Sequence, residues 1–168
     1  MIHPQHLKDL IIAPVLHRMG RWWQQGVNSP AAVNLLIGTA FQESLVGNQT
    51  CLKQLGGGPA LGIYQIEPAT HEDIWENYLA HRPGKYSFIR GLAGQGIDAT
   101  EPFVVDLIGN LHYQTAIARL KYWRRSFSWP SDPNNLEALG EIWNTHYNAN
   151  PSAGTTSDFI NSFPENIL

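Results

Sequence analysis

Proline residues mark the starts of four segments of this 168-residue chain in which apolar residues recur every three or four positions. They are Pro4, Pro30, Pro102 and Pro133, and the last three have a Ser or Thr one or two residues earlier. Proline suits the first turn of a helix, where its missing N–H is not needed, and a preceding Ser or Thr can cap that helix. The pattern predicts a mainly helical chain built from several short helices.

Helix bounds follow from these start signals and from the apolar spacing. Pro14 is expected to kink or split the first helix, and Thr70 with Asp73 is expected to cap the third as a variant capping box. The predicted helices span residues 4–25, 30–44, 70–82, 102–123, 133–147 and 156–163.

A glycine-rich stretch separates the second and third predicted helices. Residues 47–62 contain six Gly or Pro residues, which predicts a loop, and residues 63–66 form a short β-compatible run. The predicted fold class is mainly α, with a small Gly-rich β-like insertion. We expect a single domain, 1–168, with its motifs in 29–150 and with the helix 4–25 and residues 151–168 packing onto that region.

The charge and the cysteine count exclude several classes of function. Eleven Lys and Arg residues against fourteen Asp and Glu residues give a net charge of −3, which offers no basic surface for nucleic acid. Cys51 is the single cysteine, so an internal disulfide framework and a thiolate zinc site are both excluded. No His-Glu-x-x-His motif occurs, and neither a metal nor an organic cofactor is expected.

The sequence gives no sign of a membrane or secretory segment. No apolar run reaches the length needed to cross a bilayer, and the N-terminus lacks a basic region and a small-residue cleavage site. We therefore expect no membrane insertion and no signal peptide of the chain's own.

Glu43 lies near the end of the second predicted helix, on its apolar face. With Leu36 at zero degrees, steps of 100° put Ala40 at about 40° and Glu43 at about −20°. A carboxyl group on such a face is partly desolvated, so it can hold a proton near neutral pH and act as a general acid. The alternative is a solvated surface group at the point where the helix ends.

Three segments together resemble the lytic transglycosylases of the lysozyme superfamily, in particular bacteriophage-encoded members. They are the Glu43-Ser44 pair, the stretch Gly62-Ile63-Tyr64-Gln65-Ile66-Glu67-Pro68-Ala69-Thr70, and Trp143-Asn144-Thr145-His146-Tyr147-Asn148. They occur in the order that is found in the family. Tyr64 stands where the family has Met or Phe, and His146 stands where it has Ala, so the resemblance is weakest for the contacts to substrate.

The resemblance implies a lysozyme-like α+β fold and a peptidoglycan glycan strand as the substrate. Glu43 would protonate the glycosidic oxygen of the β-1,4 MurNAc–GlcNAc bond and then, as a base, help close a 1,6-anhydro ring. A single carboxyl group serves both steps. A hydrolytic muramidase would need a second carboxylate, for which Glu67 is the candidate on the inserted segment.

The resemblance also implies which residues contact the substrate or support Glu43. Tyr147 would reach the catalytic carboxyl with its hydroxyl, although core packing is the alternative. Gln65 would bind sugar groups or stabilise its own loop, and Asn148 would touch substrate or cap its helix. Ser44 would tune Glu43 locally. The predicted substrate-binding residues are Ser44, Gly62, Tyr64, Gln65, Tyr147 and Asn148.

The expected location follows from the likeness to phage-encoded members. We expect a virion-associated enzyme that reaches the host cell wall or periplasm with the particle, with other virion proteins as partners. A holin-released endolysin is an alternative for delivery. A catalytically weak structural component of a virion or tail is the alternative from another functional class.

Overall fold

The structure is a computed structural model, and it describes residues 2–24, 26–44, 50–94, 104–148, 154–165 and 167. It is mainly helical, as the sequence predicts. Helix α1 has three consecutive parts, Pro4–His6, a π-helical part Leu7–Ile12, and Ala13–Met19. The later helices are α2 Pro30–Glu43, α3 Pro68–Ile74 with a π-helical continuation Trp75–Leu79, α4 Pro83–Leu92, α5 Asp106–Gly109, α6 Leu111–Trp123, α7 Leu136–His146 and α8 Thr156–Ser162.

Helix α1 accommodates Pro14 without a break. The wider π-helical turn ends where the Ala13 N–H binds the carbonyl of Lys8, five residues back, and Pro14 then falls in the first turn of the next part. The helix ends at Met19 rather than at residue 25, because the N–H groups of Trp22 and Trp23 both turn back to the Met19 carbonyl.

Helix α2 is the most deeply buried helix near the candidate site. It begins as predicted at Ser29, whose hydroxyl accepts the Ala32 N–H at 3.2 Å. Every residue from Leu35 to Phe41 is buried, and α1, α6, α7 and α8 pack around the helix. The tightest approach is at Gly38, where an added Cβ would lie 2.1 Å from the Phe159 ring. The helix therefore holds Glu43, its last residue, on a rigid support.

Two predicted helix starts are wrong. Helix α3 begins at Pro68 after Glu67, so Thr70 does not cap it, and the Asp73 carboxylate instead forms an ion pair with Arg124 at 2.6 Å. Helix α7 begins at Leu136 and is capped by Asn135, whose side chain accepts the Ala138 N–H. At α3, Pro68 begins the helix and has no N–H group that needs a partner. At α7, the Asn135 side chain is the partner of a first-turn N–H group.

The predicted helix over 102–123 is interrupted at Asn110. This residue has extended backbone angles and its side chain accepts the Tyr113 N–H at 3.0 Å, so it ends α5 and caps α6. The start signal at 100–102 lies outside the described residues. Helix α4 was not predicted, because Pro83 and Gly84 resemble a helix stop, whereas Pro83 occupies the first turn. The last helix, α8, forms where expected, with a capping box from Thr155 and Asp158.

The glycine-rich stretch forms turns rather than a strand. Isolated antiparallel bridges join Lys53 to Leu61 and Leu61 to Ile66, and no strand is present in the described ranges. The run 63–66 turns because Gly62 has a φ of 74° and Gln65 a φ of 44°. Residues 45–49 of the predicted loop lie outside the part that the structure describes.

None of the helices within the described ranges is long and apolar enough to span a membrane.

Candidate active site

Glu43 ends α2 and meets the indole of Trp143 from α7. The Trp143 Nε1–H donates to Glu43 Oε1 at 2.9 Å, and the Trp143 side chain is almost fully buried against Phe159. Glu43 itself is half-buried. The carboxyl group is therefore held in one orientation by a donor that is itself locked in the core.

The environment of Glu43 favours its protonated form. Burial raises the pKa of the Glu43 carboxyl to about 7, while the Trp143 hydrogen bond and the charge of Lys121 act in the opposite direction. A carboxyl group with a pKa near neutrality can both donate and accept a proton at neutral pH, as a general acid and then a general base must.

Lys121 on α6 is a site residue that the sequence did not reveal. Its ammonium donates to the Tyr147 carbonyl at 2.9 Å and lies 3.6 Å from the centre of the Tyr147 ring. Burial lowers the pKa of Lys121 to about 8, and the negative charges of Glu43 and Glu67 counteract that effect. In sequence Lys121 belongs to a basic helix end, where cations are ordinary, so no local signal distinguishes it.

Tyr147 does not bond to Glu43 in the structure, contrary to what the resemblance implies. Its hydroxyl donates to the Tyr64 carbonyl at 2.7 Å, and its ring packs on Tyr122 with centroids 4.9 Å apart. The donor to the carboxyl is Trp143, one helical turn earlier on α7. Burial raises the pKa of Tyr147 well above its usual value, with the charge of Glu43 as the next cause, so the two groups are electrostatic neighbours.

Ser44 joins the end of α2 to the turn at 62–65. Its hydroxyl is buried and donates to the Ile63 carbonyl at 2.7 Å, while the Ser44 carbonyl accepts the Cys51 N–H at 3.0 Å. All of these partners are protein groups. These bonds connect the residue next to Glu43 with the backbone of the turn at 62–65, which matches the predicted local role of Ser44.

Gly62 begins the same turn and is packed against α6. The Gln114 side-chain oxygen accepts the Ile63 N–H at 2.7 Å, and a Cβ added to Gly62 would lie 2.4 Å from that oxygen. Gly62 is buried, and the atoms nearest to its backbone belong to other residues of the protein. Gln114 is a further supporting residue that the sequence did not reveal, since its apolar neighbours indicate only a buried helix.

Tyr64 and Gln65 complete the turn with internal bonds. Tyr64 is fully buried, and its hydroxyl lies 3.1 Å from that of Thr115. The half-buried Gln65 amide donates to the carbonyls of Gly62 at 2.8 Å and Cys51 at 3.4 Å. These contacts match the loop-stabilising alternative for Gln65 and place Tyr64 in the core.

Asn148 follows α7 and is half-buried. Its N–H donates to the Trp143 carbonyl at 3.0 Å, and its side-chain amide donates to the Gly154 carbonyl at 3.2 Å. These bonds hold the chain leaving α7 close to the residue that binds Glu43. They match the capping alternative for Asn148.

Three segments that are far apart in the chain thus meet around Glu43. Trp143 binds the carboxyl, Ser44 binds the turn at Ile63, and Tyr147 binds the same turn at Tyr64. The described residues hold no group of three His, Cys, Asp or Glu side chains suited to a metal. The arrangement provides one polarised carboxyl group, one nearby ammonium and a fixed backbone turn.

No protein-family model matches the chain, and neither a curated protein nor a solved structure gives a significant match.

The Trp143 indole resonance is expected to report the ionisation of Glu43. In a pH titration followed by proton–nitrogen NMR, its Nε1–H signal should move downfield with a midpoint at pH about 7, because a carboxylate is the stronger hydrogen-bond acceptor. The Trp75 indole, which donates to the Tyr113 hydroxyl, is the internal control and should show no step between pH 6 and 8. A midpoint at the ordinary glutamate pKa of 4.5 would contradict the desolvation argument.

The Lys121→Met variant tests the source of that midpoint. Removing the positive charge should raise the pKa of Glu43 and move the Trp143 midpoint to higher pH, since Lys121 favours the carboxylate. Lys121→Arg keeps the charge and is the matched control. An unchanged midpoint in the Met variant would show that the ammonium is too well solvated to affect Glu43.

Proposed function

We propose that this protein is a peptidoglycan lytic transglycosylase with a lysozyme-like α+β fold, in which the Gly-rich segment forms a small insertion beside the active site. The observation that carries the proposal is the Glu43 carboxyl, half-buried, with a pKa of about 7, at the point where the three segments of the family resemblance meet. The substrate would be the β-1,4-linked MurNAc–GlcNAc strand.

The reaction uses the two protonation states of one carboxyl group. Protonated Glu43 gives its proton to the glycosidic oxygen as the bond from that oxygen to the muramyl C1 breaks. The muramyl 6-hydroxyl oxygen then bonds to C1, and its proton returns to Glu43. No water is consumed, and the products are a new saccharide end with a free 4-hydroxyl and a 1,6-anhydromuramyl end.

Two carboxyl groups considered for a second catalytic role, Asp73 and Glu67, support a one-carboxylate mechanism. Asp73 is held in an ion pair with Arg124, and Glu67 is exposed at the start of α3. Lys121 lies within electrostatic range of both Glu43 and Glu67 and can stabilise the carboxylate that forms when Glu43 has given up its proton. Hydrolysis by a pair of carboxylates would assign the second role to Glu67.

The fate of water distinguishes the two reactions. Purified cell wall is digested in oxygen-18-labelled water, and the released muropeptides are analysed by mass spectrometry. We expect anhydro-ended products, lighter than reducing-end products by one water and free of the heavy isotope at C1. Reducing ends that carry oxygen-18 would assign the protein as a muramidase, and a folded protein that releases no product would favour the structural role.

The setting of the reaction is part of the same proposal. The likeness to phage-encoded enzymes supports a virion-associated protein that acts on the host wall after delivery, without a cofactor. The particle fraction of infected cells, probed by mass spectrometry for peptides of this chain, tests that location.

A further inference from the structure

A cavity lies along α3. Its volume is about 510 Å³, and α3 supplies five of the lining residues that the structure describes. The others are Ala80, Tyr86 of α4 and Val104. The lining from α3 includes His71, Glu72 and Trp75. None of these residues bonds to the groups that hold the Glu43 carboxyl.

Two unpaired carboxylates border this cavity. Glu72 and Glu76 are exposed, lie one helical turn apart, and have no hydrogen-bond or ion-pair partner within the described ranges. Like charges at this spacing repel each other. Arg124 forms an ion pair with Asp73, which lies between Glu72 and Glu76 in sequence. In the structure Arg124 therefore pairs with Asp73 and not with either glutamate. The cavity lining that the structure describes contains no Lys or Arg.

Two aromatic rings form an adjoining wall. Trp75 and Tyr86 meet edge to face, with centroids 4.9 Å apart and planes 86° apart. Aromatic faces attract ammonium groups and also pack against methylene chains. A wall of this kind next to two carboxylates suits a ligand with an alkyl chain that ends in a positive charge.

His71 contributes a ring without positive charge to the same cavity, so it does not repel a cation there. Its Nε2 is 2.5 Å from the Tyr113 hydroxyl and accepts the Trp75 indole N–H at 3.2 Å, which leaves the ring proton on Nδ1. Burial lowers the pKa of His71 to about 4, so the ring carries no positive charge at neutral pH. The Nδ1–H has no partner in the described part of the chain, although the side chain is 5% exposed.

We propose that this cavity binds a primary alkylammonium group, with the ammonium between Glu72 and Glu76 and the alkyl chain against Trp75 and Tyr86. A neutral saccharide can donate hydroxyl hydrogen bonds to the two carboxylates but leaves their negative charge uncompensated, so it is the less complementary ligand. The binding is separate from the chemistry at Glu43. The ammonium could belong to the side chain of a diamino acid within a peptide or to a free diamine.

The experiment uses the whole chain and three probes. Nα-acetyl-L-lysine methylamide represents the peptide-borne group, 1,5-diaminopentane the free diamine, and Nα-acetyl-norleucine methylamide the same chain without a charge. Binding is followed by calorimetry and by the NMR signal of the Trp75 indole. We expect saturable binding of the amines, a shift of the Trp75 signal, and no shift of the Trp143 signal.

A pair of double variants makes the test specific. Glu72→Gln with Glu76→Gln should weaken amine binding by about tenfold or more, since each charge-assisted contact is lost. Glu137→Gln with Glu141→Gln changes the same charge at the same spacing on α7 and should leave binding unchanged. Both proteins should show the wild-type circular dichroism spectrum, because all four carboxylates are exposed.

The outcomes separate the ligand sources and can overturn the proposal. Tighter binding of the lysine derivative indicates a peptide, and tighter binding of the diamine indicates a free amine. Equal binding of the norleucine derivative, no loss in the α3 double variant, or a shift of the Trp75 signal by an N-acetylglucosamine tetramer alone would each overturn it. Repeating the titration on Glu43→Gln, where binding should persist, keeps this result independent of the proposed catalysis.

Discussion

Replacing Glu43 by Gln is expected to lower the rate of glycan cleavage by about 10³-fold, within the range that general acid catalysis contributes. The amide keeps the size of the side chain, and its oxygen can still accept the Trp143 N–H that Glu43 accepts at 2.9 Å. It has no proton to give to a leaving oxygen at neutral pH. The measurement is the loss of turbidity of a cell-wall suspension, with muropeptide release as the direct readout.

Measuring the stability of the same variant tests whether its expected inactivity comes from unfolding. Burial raises the pKa of Glu43 from 4.5 to about 7, so the folded protein holds a proton that the unfolded chain releases. Wild-type stability therefore falls as the pH rises from about 4.5 to about 7 and is then constant, with a total loss on the order of 3 kcal/mol. Glu43→Gln lacks this loss, so urea denaturation should find it the more stable protein at pH 8.

Glu67→Gln is the matched control for the rate. It removes a carboxylate that is exposed and near Lys121 but makes no bond to Glu43 or Trp143. We expect its cleavage rate to stay close to that of the wild type. If instead Glu67→Gln is as inactive as Glu43→Gln, the protein uses two carboxylates, and if Glu43→Gln still clears the wall, the assignment of the acid is wrong.

The sequence predicted the position of Glu43 but not its hydrogen-bond donor. The 100° spacing from Leu36 puts the residue on the face of α2 that packs inward, and the side chain is half-buried there. The family resemblance implies that the Tyr147 hydroxyl binds the Glu43 carboxyl. In the structure Tyr147 is the C-terminal cap of α7, and its hydroxyl donates to the Tyr64 carbonyl. Trp143 is one turn earlier, on the part of α7 that faces α2. Whether Trp143 or Tyr147 binds the carboxyl depends on how α2 packs against α7. The local sequence pattern does not determine that packing.

Helix starts were predicted correctly where local sequence determines them and wrongly where contacts between distant residues do. Ser29 caps α2 as predicted, because the Ser-Pro pair admits a single register. Thr70 does not cap α3, because Pro68 begins the helix two residues earlier and the predicted partner Asp73 binds Arg124 at the end of a distant helix. Lys121 and Gln114 were not predicted for a related reason. Their roles arise from contacts with residues that are distant in the sequence, since Lys121 binds Tyr147, 26 positions away, and Gln114 binds Ile63, 51 positions away.

Gly62→Ala is expected to cause a larger loss of stability than the matched substitution Gly57→Ala. Gly62 has a φ of 74°, a region that costs an L-residue about 1–2 kcal/mol. The added Cβ would also lie 2.0 Å from the Leu107 carbonyl oxygen and 2.4 Å from the Gln114 side-chain oxygen. Relieving that overlap costs about 1–3 kcal/mol more. Urea denaturation should therefore show a loss of about 2–5 kcal/mol.

Gly57→Ala separates the two contributions. Gly57 has a φ of 88°, but nothing lies within 4 Å of an added Cβ, so only the backbone strain of about 1–2 kcal/mol should be lost. The difference between the variants measures the packing at Gly62.

Moving Gln114 to make room would also take its oxygen from the Ile63 N–H, and Ile63 is the residue that Ser44 binds beside Glu43. Folded Gly62→Ala should therefore cleave peptidoglycan more slowly than Gly57→Ala, and equal stability of the two variants would show that the turn is loosely packed and does not position the site.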